Sequence, residues 1–215
     1  MKSANFSQLN YLRVATAAPV ISIGEPMANA QTILATCQQL NAQSVAVAVF
    51  PELCLSGYSA EDLFFTETLL QDTRRALALL CKKSTLPLIA VGAPWRLRDG
   101  RLLNCAVLIG QGRILGMVPK SVQPNYSEFY DLRWFAPGGQ VNETEVTEDL
   151  GSFQIRVDQL FEFDQHLLGV EICEDLWAPL TPGTNAALAG AQVMLNLSAS
   201  NELISKADYR RDLVR

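Results

Sequence analysis

A chain of 215 residues, of which 49% are hydrophobic, is long enough for one large domain with a sizeable core. The net charge of −5 and the lack of any run rich in lysine and arginine argue against nucleic acid and membranes as partners. Five scattered cysteines without a CxxC pair argue against a disulfide framework and against a structural zinc site. The amino terminus lacks the long apolar segment of a signal peptide, and no stretch reaches a membrane-spanning length. The sequence therefore predicts a cytoplasmic protein.

Apolar runs rich in β-branched residues alternate with helical patterns along the chain. Strands are predicted over residues 13–19, 44–50, 87–94, 153–157, 160–164, 166–173 and 193–200, and a hairpin of two strands over 103–120. Helices are predicted over residues 26–43, 66–84 and 181–191, and from 206 to the last residue. Residues 121–150, which include the acidic stretch NETEVTED (142–149), are predicted to be a loop. This alternation is typical of an α/β layered fold with a mixed sheet.

The single histidine, His166, limits the catalytic chemistry that is open to the chain. It precedes Cys173 by seven residues of a predicted strand, which separates the two side chains by about 20 Å. A serine or cysteine nucleophile activated by histidine is therefore disfavoured, and metal sites built from several histidines are excluded.

Three predicted strands end in potentially reactive residues, namely Glu52, Lys120 and Cys173. Ligand sites of open α/β sheets gather where strands end, so the three side chains are candidates for one shared rim. Without histidine, a carboxylate can take the proton of the thiol, and a lysine can stabilise the oxyanion that forms when a carbonyl is attacked. Each residue alone has a plainer interpretation, as a solvated acid, a surface lysine or a core thiol, and the pattern leaves both readings open.

Four longer strings sharpen this choice: FPELCLSGYSAEDLF (50–64), VPKSVQPNYSEFYDLRWFAPG (118–138), GVEICEDLW (169–177) and NLSASNELISKADYRRDLV (196–214). Together, and in this order, they resemble the nitrilase, or carbon–nitrogen hydrolase, superfamily. They are most similar to the amino-terminal glutaminase domain of glutamine-dependent NAD+ synthetases.

The resemblance implies a four-layer α-β-β-α sandwich with mixed sheets and a catalytic triad of Glu52, Lys120 and Cys173. It implies glutamine hydrolysis through a cysteine thioester, with the Glu174 backbone N–H as an oxyanion donor and Asp131 in support of Lys120. Substrate contacts carried over from the family fall on Tyr58, Tyr126, Phe129, Glu174, Ser200 and Lys206. Without the resemblance, the sequence favours the plainer interpretation of Ser200 and Lys206, as an ordinary loop serine and a surface lysine.

Two positions depart from the family pattern. Asp131 stands in FYDLR where a glutamate is usual, so we expect it to support the lysine less well, or through a water. Gln123 occupies a position that is usually apolar.

We expect residues 1–215 to be one glutaminase domain that is truncated at its carboxyl terminus, because the family sandwich continues further and no SGGxDS phosphate loop is present. The predicted partners are L-glutamine, a carboxyl-terminal synthetase domain and further copies of the chain. No metal or cofactor is expected for the glutaminase reaction, and ATP and Mg²⁺ are expected only in the synthetase domain. Two alternatives stay open, a stand-alone amidase for another small amide and a non-catalytic subunit.

Overall fold

The computed structural model describes residues 11–214. Residues 1–10 lie outside the described residues, and they contribute to the prediction that no signal peptide is present. Arg215, the last residue of the predicted final helix, also lies outside them. The strands are β1 (Val14–Thr16), β2 (Val47–Val49), β3 (Leu88–Arg96), β4 (Leu102–Gly110), β5 (Arg113–Pro119), β6 (Asn142–Thr147), β7 (Gly151–Arg156), β8 (Phe161–Phe163), β9 (His166–Ile172) and β10 (Val193–Leu197). The helices are α1 (Pro26–Asn41), α2 (Glu67–Lys83), α3 (Pro182–Leu188) and α4 (Lys206–Leu213).

The described strands form two mixed sheets. The larger sheet has the order β1-β2-β3-β4-β5-β7-β6, and the smaller has the order β10-β9-β8. Strands β1, β2 and β3 are parallel, β3, β4 and β5 are antiparallel, and β9 runs parallel to β10. The predicted α/β fold with mixed sheets is therefore confirmed.

The central strands are apolar throughout because both of their faces are covered. Along β3, Leu88 and Ala90 pack toward the smaller sheet, whereas Ile89 and Val91 pack toward α1 and α2. On the far side of the smaller sheet, α3 packs against β9. The layers thus run helix, sheet, sheet, helix, as the resemblance implies.

One predicted loop is wrong in part, because residues 142–147 form the strand β6. This strand lies at the edge of the larger sheet and pairs antiparallel with β7. An edge strand can keep polar side chains in water, and of the six residues of β6 only Glu145 is buried. The acidic composition that indicated a loop therefore reflects an exposed edge. In contrast, the hairpin between β4 and β5 is confirmed, and it turns at Gln111 and Gly112 with positive φ.

No helix within residues 11–214 is long and apolar enough to cross a membrane.

Candidate active site

Three buried side chains meet at the ends of strands from the two sheets. Glu52 follows β2, Lys120 directly follows β5, and Cys173 directly follows β9. Their exposed fractions are 2%, 1% and 8%. The structure thus places the three predicted catalytic residues at one rim, where Cys173 is within electrostatic reach of both of the others.

The two carboxylate oxygens of Glu52 have different partners. Oε1 accepts hydrogen bonds from Lys120 Nζ at 2.6 Å and from the Asn104 side-chain amide at 2.7 Å. Oε2 accepts one hydrogen bond, from the backbone N–H of Ala199 at 3.1 Å, and the same N–H interacts with the Cys173 thiol. Oε2 therefore has the greater remaining capacity to accept a hydrogen bond or a proton, and it shares the Ala199 N–H with the Cys173 thiol.

Lys120 lies between two carboxylates. Besides Glu52, it donates to Asp131 Oδ2 at 3.2 Å, and Tyr58 donates to Asp131 Oδ1 at 2.8 Å. Burial alone would lower the pKa of Lys120, but the charges of Glu52 and Asp131 outweigh burial and raise that pKa above its ordinary value. The lysine is thus held as a cation. Asp131 reaches it directly despite its shorter side chain, so no bridging water is needed.

Cys173 begins the short 3₁₀ turn Cys173–Trp177 at the end of β9. Its φ of +44° lies in the left-handed region, a conformation that a side chain other than glycine adopts only where the surroundings enforce it. Burial, followed by the charge of Glu52, raises the pKa of the Cys173 thiol to about 12, although Lys120, the Ala199 N–H and the Ser198 side chain oppose this shift. The resting thiol is therefore neutral and needs a base before it can act as a nucleophile.

Two glycines allow the close backbone approaches that hold Glu52 and Lys120. A Cβ on Gly92 would lie 2.1 Å from Leu53 N and 2.6 Å from Glu52 C. A Cβ on Gly138 would lie 2.8 Å from Lys120 O. Any larger residue at either position would push the segment that carries Glu52 or Lys120 away from the rim.

A cavity of about 470 Å³ opens at Cys173 between the rim and α4. In its lining, Tyr126 donates to the Glu174 carboxylate at 3.0 Å. Lys206 donates to the Asn201 side chain, which in turn donates to Glu128. Lys206 also lies 5.3 Å from the centre of the Trp177 ring, and that ring stacks on Tyr209. The charged residues of its lining are therefore one cation, Lys206, and two carboxylates, Glu128 and Glu174.

Five of the six predicted substrate contacts line this cavity: Tyr126, Phe129, Glu174, Ser200 and Lys206. The sixth, Tyr58, hydrogen-bonds to Asp131 instead. The Glu174 backbone N–H follows Cys173 in the 3₁₀ turn, where the first N–H groups have no acceptor within the turn.

Comparison with known proteins identifies the family. Residues 13–214 match the family model described as carbon-nitrogen hydrolase. The chain belongs to the carbon–nitrogen hydrolase family. A protein of Mycobacterium leprae (strain TN) named glutamine-dependent NAD(+) synthetase is 42% identical over 216 residues, covering 98% of this chain and 31% of that protein. A rat (Rattus norvegicus) protein of the same name is 32% identical over 196 residues, covering 86% of this chain and 27% of that protein. This carbon–nitrogen hydrolase thus spans less than a third of the length of these relatives.

Solved structures agree with the fold. A glutamine-dependent NAD(+) synthetase from Cytophaga hutchinsonii superposes with a TM-score of 0.83 at 27% identity, covering 94% of this carbon–nitrogen hydrolase and 33% of that chain. An amidase from Nesterenkonia sp. superposes with a TM-score of 0.73 at 17% identity, covering 91% and 68%. The second likeness bears on the fold alone.

Sequence reasoning missed Asn104 and the Ala199 N–H, and it gave Asp175 no role. Asn104 offered a signal, since it is a polar amide within the otherwise apolar strand β4. Gln123, noted as a departure, is buried and donates to the backbone oxygen of Lys120 at 3.3 Å. The Ala199 contact had no local signal, because it joins residues 147 positions apart.

The raised pKa of Cys173 predicts how the thiol reacts with iodoacetamide. Because the neutral form is favoured up to about pH 12, the alkylation rate of Cys173 is expected to rise about tenfold per pH unit from pH 7 to 10. Mass spectrometry of the Cys173 peptide during timed alkylation measures this rate. A rate that is already level between pH 7 and 9 would contradict the expectation, and the same level rate in Glu52→Gln would show that the cause is a preformed thiolate and not deprotonation by Glu52.

Proposed function

We propose that this carbon–nitrogen hydrolase hydrolyses the side-chain amide of L-glutamine through a thioester on Cys173. The observation that carries the proposal is the presence of Lys206 and Glu174, two groups of opposite charge, in the lining of the cavity at Cys173. Glu174 offers a carboxylate for the α-ammonium group of a free amino acid, and Lys206 offers an ammonium for its α-carboxylate. The relatives named glutamine-dependent NAD(+) synthetases support the same substrate.

In the proposed reaction, Glu52 Oε2 takes the thiol proton while Cys173 Sγ attacks the δ-carbonyl carbon of glutamine. Lys120 Nζ and the Glu174 N–H stabilise the resulting oxyanion. Glu52 returns the proton to the nitrogen, the C–N bond breaks, and ammonia leaves. Glu52 then activates a water that attacks the thioester, which releases glutamate and restores the thiol.

We propose further that the ammonia serves the ATP-dependent amidation of nicotinic acid adenine dinucleotide to NAD+. That step, with its ATP and Mg²⁺, is assigned to a synthetase domain distinct from the glutaminase fold. A cytoplasmic location, homo-oligomer formation and a glutaminase reaction without a metal or cofactor stay predictions. Light scattering after size-exclusion chromatography measures the oligomeric state.

Replacing Lys206 with methionine tests the substrate. Loss of a hydrogen-bonded charge pair costs about 1.5–3 kcal/mol. We therefore expect the KM for L-glutamine to rise by about 10- to 100-fold, with kcat changed far less. Butyramide lacks the α-carboxylate, so its kcat/KM should stay unchanged in the variant.

Lys82 is an exposed lysine of α2, so Lys82→Met is the matched control and should leave the KM for glutamine unchanged. If wild-type chain prefers butyramide or a carbamoyl amino acid to glutamine, the stand-alone amidase is the better description. If no amide is hydrolysed and glutamine does not protect Cys173 from a glutamine-like electrophile, the chain is a non-catalytic subunit.

A further inference from the structure

Asp175 connects the chain segments that carry two of the catalytic residues. Its side chain is 1% exposed. Oδ1 accepts hydrogen bonds from Ser121 N at 3.0 Å and Val122 N at 2.8 Å, the two residues that follow Lys120. Oδ2 accepts a hydrogen bond from Ile172 N at 3.0 Å, the residue that precedes Cys173. One carboxylate thus holds the segments on either side of the reaction centre.

This link matters because Lys120 and Cys173 belong to different sheets. Lys120 follows β5 of the larger sheet, and Cys173 follows β9 of the smaller sheet. The apolar side chains between the sheets set their spacing, but apolar burial has no preferred direction, so it does not by itself specify the alignment of the two segments at the rim. The three hydrogen bonds to Asp175 are directed, and they fix this alignment at the rim, next to Lys120 and Cys173.

We propose that Asp175 is a positioning residue that sets the placement of Lys120 Nζ relative to Cys173 Sγ. The proposal rests on the proposed amide hydrolysis at Cys173. A misplacement of about 1 Å in a reacting group can cost about 100-fold in rate.

The carboxylate suits this role because all three of its partners are donors. An ionised aspartate has only acceptors, whereas asparagine would present an NH₂ group to at least one of the three N–H groups. Burial raises the pKa of Asp175 to about 6, while the Val122, Ile172 and Ser121 N–H groups and the charge of Lys120 oppose the shift. Above pH 7 the Asp175 side chain is therefore mostly ionised. Its charged and titratable neighbours include the cation Lys120, and Cys173 and Glu174 in its own 3₁₀ turn.

The test compares Asp175→Asn with Glu171→Gln. Glu171 is a matched control, because it is also a buried acid of the Cys173 segment and accepts a backbone hydrogen bond from Gly183 N at 2.9 Å, on the α3 side of the smaller sheet. For each variant, kcat and KM for glutamine, the thermal midpoint and the alkylation rate of Cys173 by 2-chloroacetamide are measured at pH 7.5.

Asp175→Asn is expected to lower kcat by about 100-fold, with KM within threefold, and to slow alkylation at least tenfold. Glu171→Gln is expected to lower the thermal midpoint but to keep kcat and alkylation within threefold of wild type. If Asp175→Asn matches Glu171→Gln in kcat and alkylation, the role of Asp175 is structural and the proposal fails. If Asp175→Asn does not fold, Asp175→Glu, which keeps the charge, must restore folding and recover part of the alkylation rate.

The alkylation readout separates this proposal from the proposed function. If wild-type chain fails to hydrolyse glutamine, the glutaminase proposal falls, but the alkylation rates of the variants still decide whether Asp175 places the thiol beside Lys120. Equal rates in wild type and Asp175→Asn overturn the proposal in that case as well.

Discussion

The Cys173→Ala variant is expected to lose glutamine hydrolysis, with kcat reduced by on the order of 10⁴-fold or more. The thiol forms the covalent bond on which both halves of the proposed reaction depend, and the methyl group of alanine cannot replace it. Lys120 and Glu52 remain in place, since they bond to each other and to Asp131 and Asn104 rather than to the thiol. Ammonia release from glutamine, measured by a coupled assay, gives kcat.

Cys81→Ala is the control for this variant, because Cys81 is a partly buried thiol of α2 in the helical layer outside the larger sheet. It should keep kcat within twofold of wild type. Alanine and cysteine have the same backbone restrictions, so the positive φ at residue 173 adds no new strain in Cys173→Ala. A Cys173→Ala variant that hydrolyses glutamine at more than a tenth of the wild-type rate would rule out the thioester mechanism.

The Glu52→Gln variant is expected to lower kcat by about 10³-fold while KM changes by only a few-fold. Glutamine has nearly the shape of glutamate but cannot take the proton of the thiol. Since Cys173 is neutral at rest, the loss of the base stops the reaction at its first step. The variant also removes one of the two carboxylates beside Lys120, so a lower thermal midpoint is expected.

Glu145→Gln separates these two effects. Glu145 is a buried glutamate of β6 at the edge of the larger sheet, and Arg98 is its ion-pair partner at 3.5 Å. Its replacement should reduce stability without reducing kcat. If Glu145→Gln and Glu52→Gln lose activity equally, the loss arises from destabilisation and Glu52 is not the base.

The strand ends were predictable because their signal is local. An apolar run that stops at a reactive residue can be read directly from the chain, as at Lys120 and Cys173. The resemblance then supplied the residues of the cavity wall. In contrast, Asp131 was expected to support Lys120 less well, or through a water. Only the folded structure shows that its shorter side chain reaches Lys120 directly.

The parts that sequence missed depend on distant contacts or on exposure. β6 was taken for a loop because its polar residues carry no apolar pattern, and its strand conformation comes from pairing with β7. Asp175 lies 53 and 54 residues from the N–H groups of Val122 and Ser121 that it binds. No pattern within one strand or helix records such a link.

Trapping the acyl group with hydroxylamine addresses the reaction itself. Wild-type chain is incubated with L-glutamine and increasing hydroxylamine, and ammonia, glutamate and γ-glutamyl hydroxamate are quantified. A Cys173 thioester predicts that hydroxamate replaces glutamate as hydroxylamine rises, with one ammonia released per product and none of this chemistry in Cys173→Ala. Glutamate formed without any hydroxamate, or hydroxamate formed equally by Cys173→Ala, would contradict glutamine hydrolysis through Cys173.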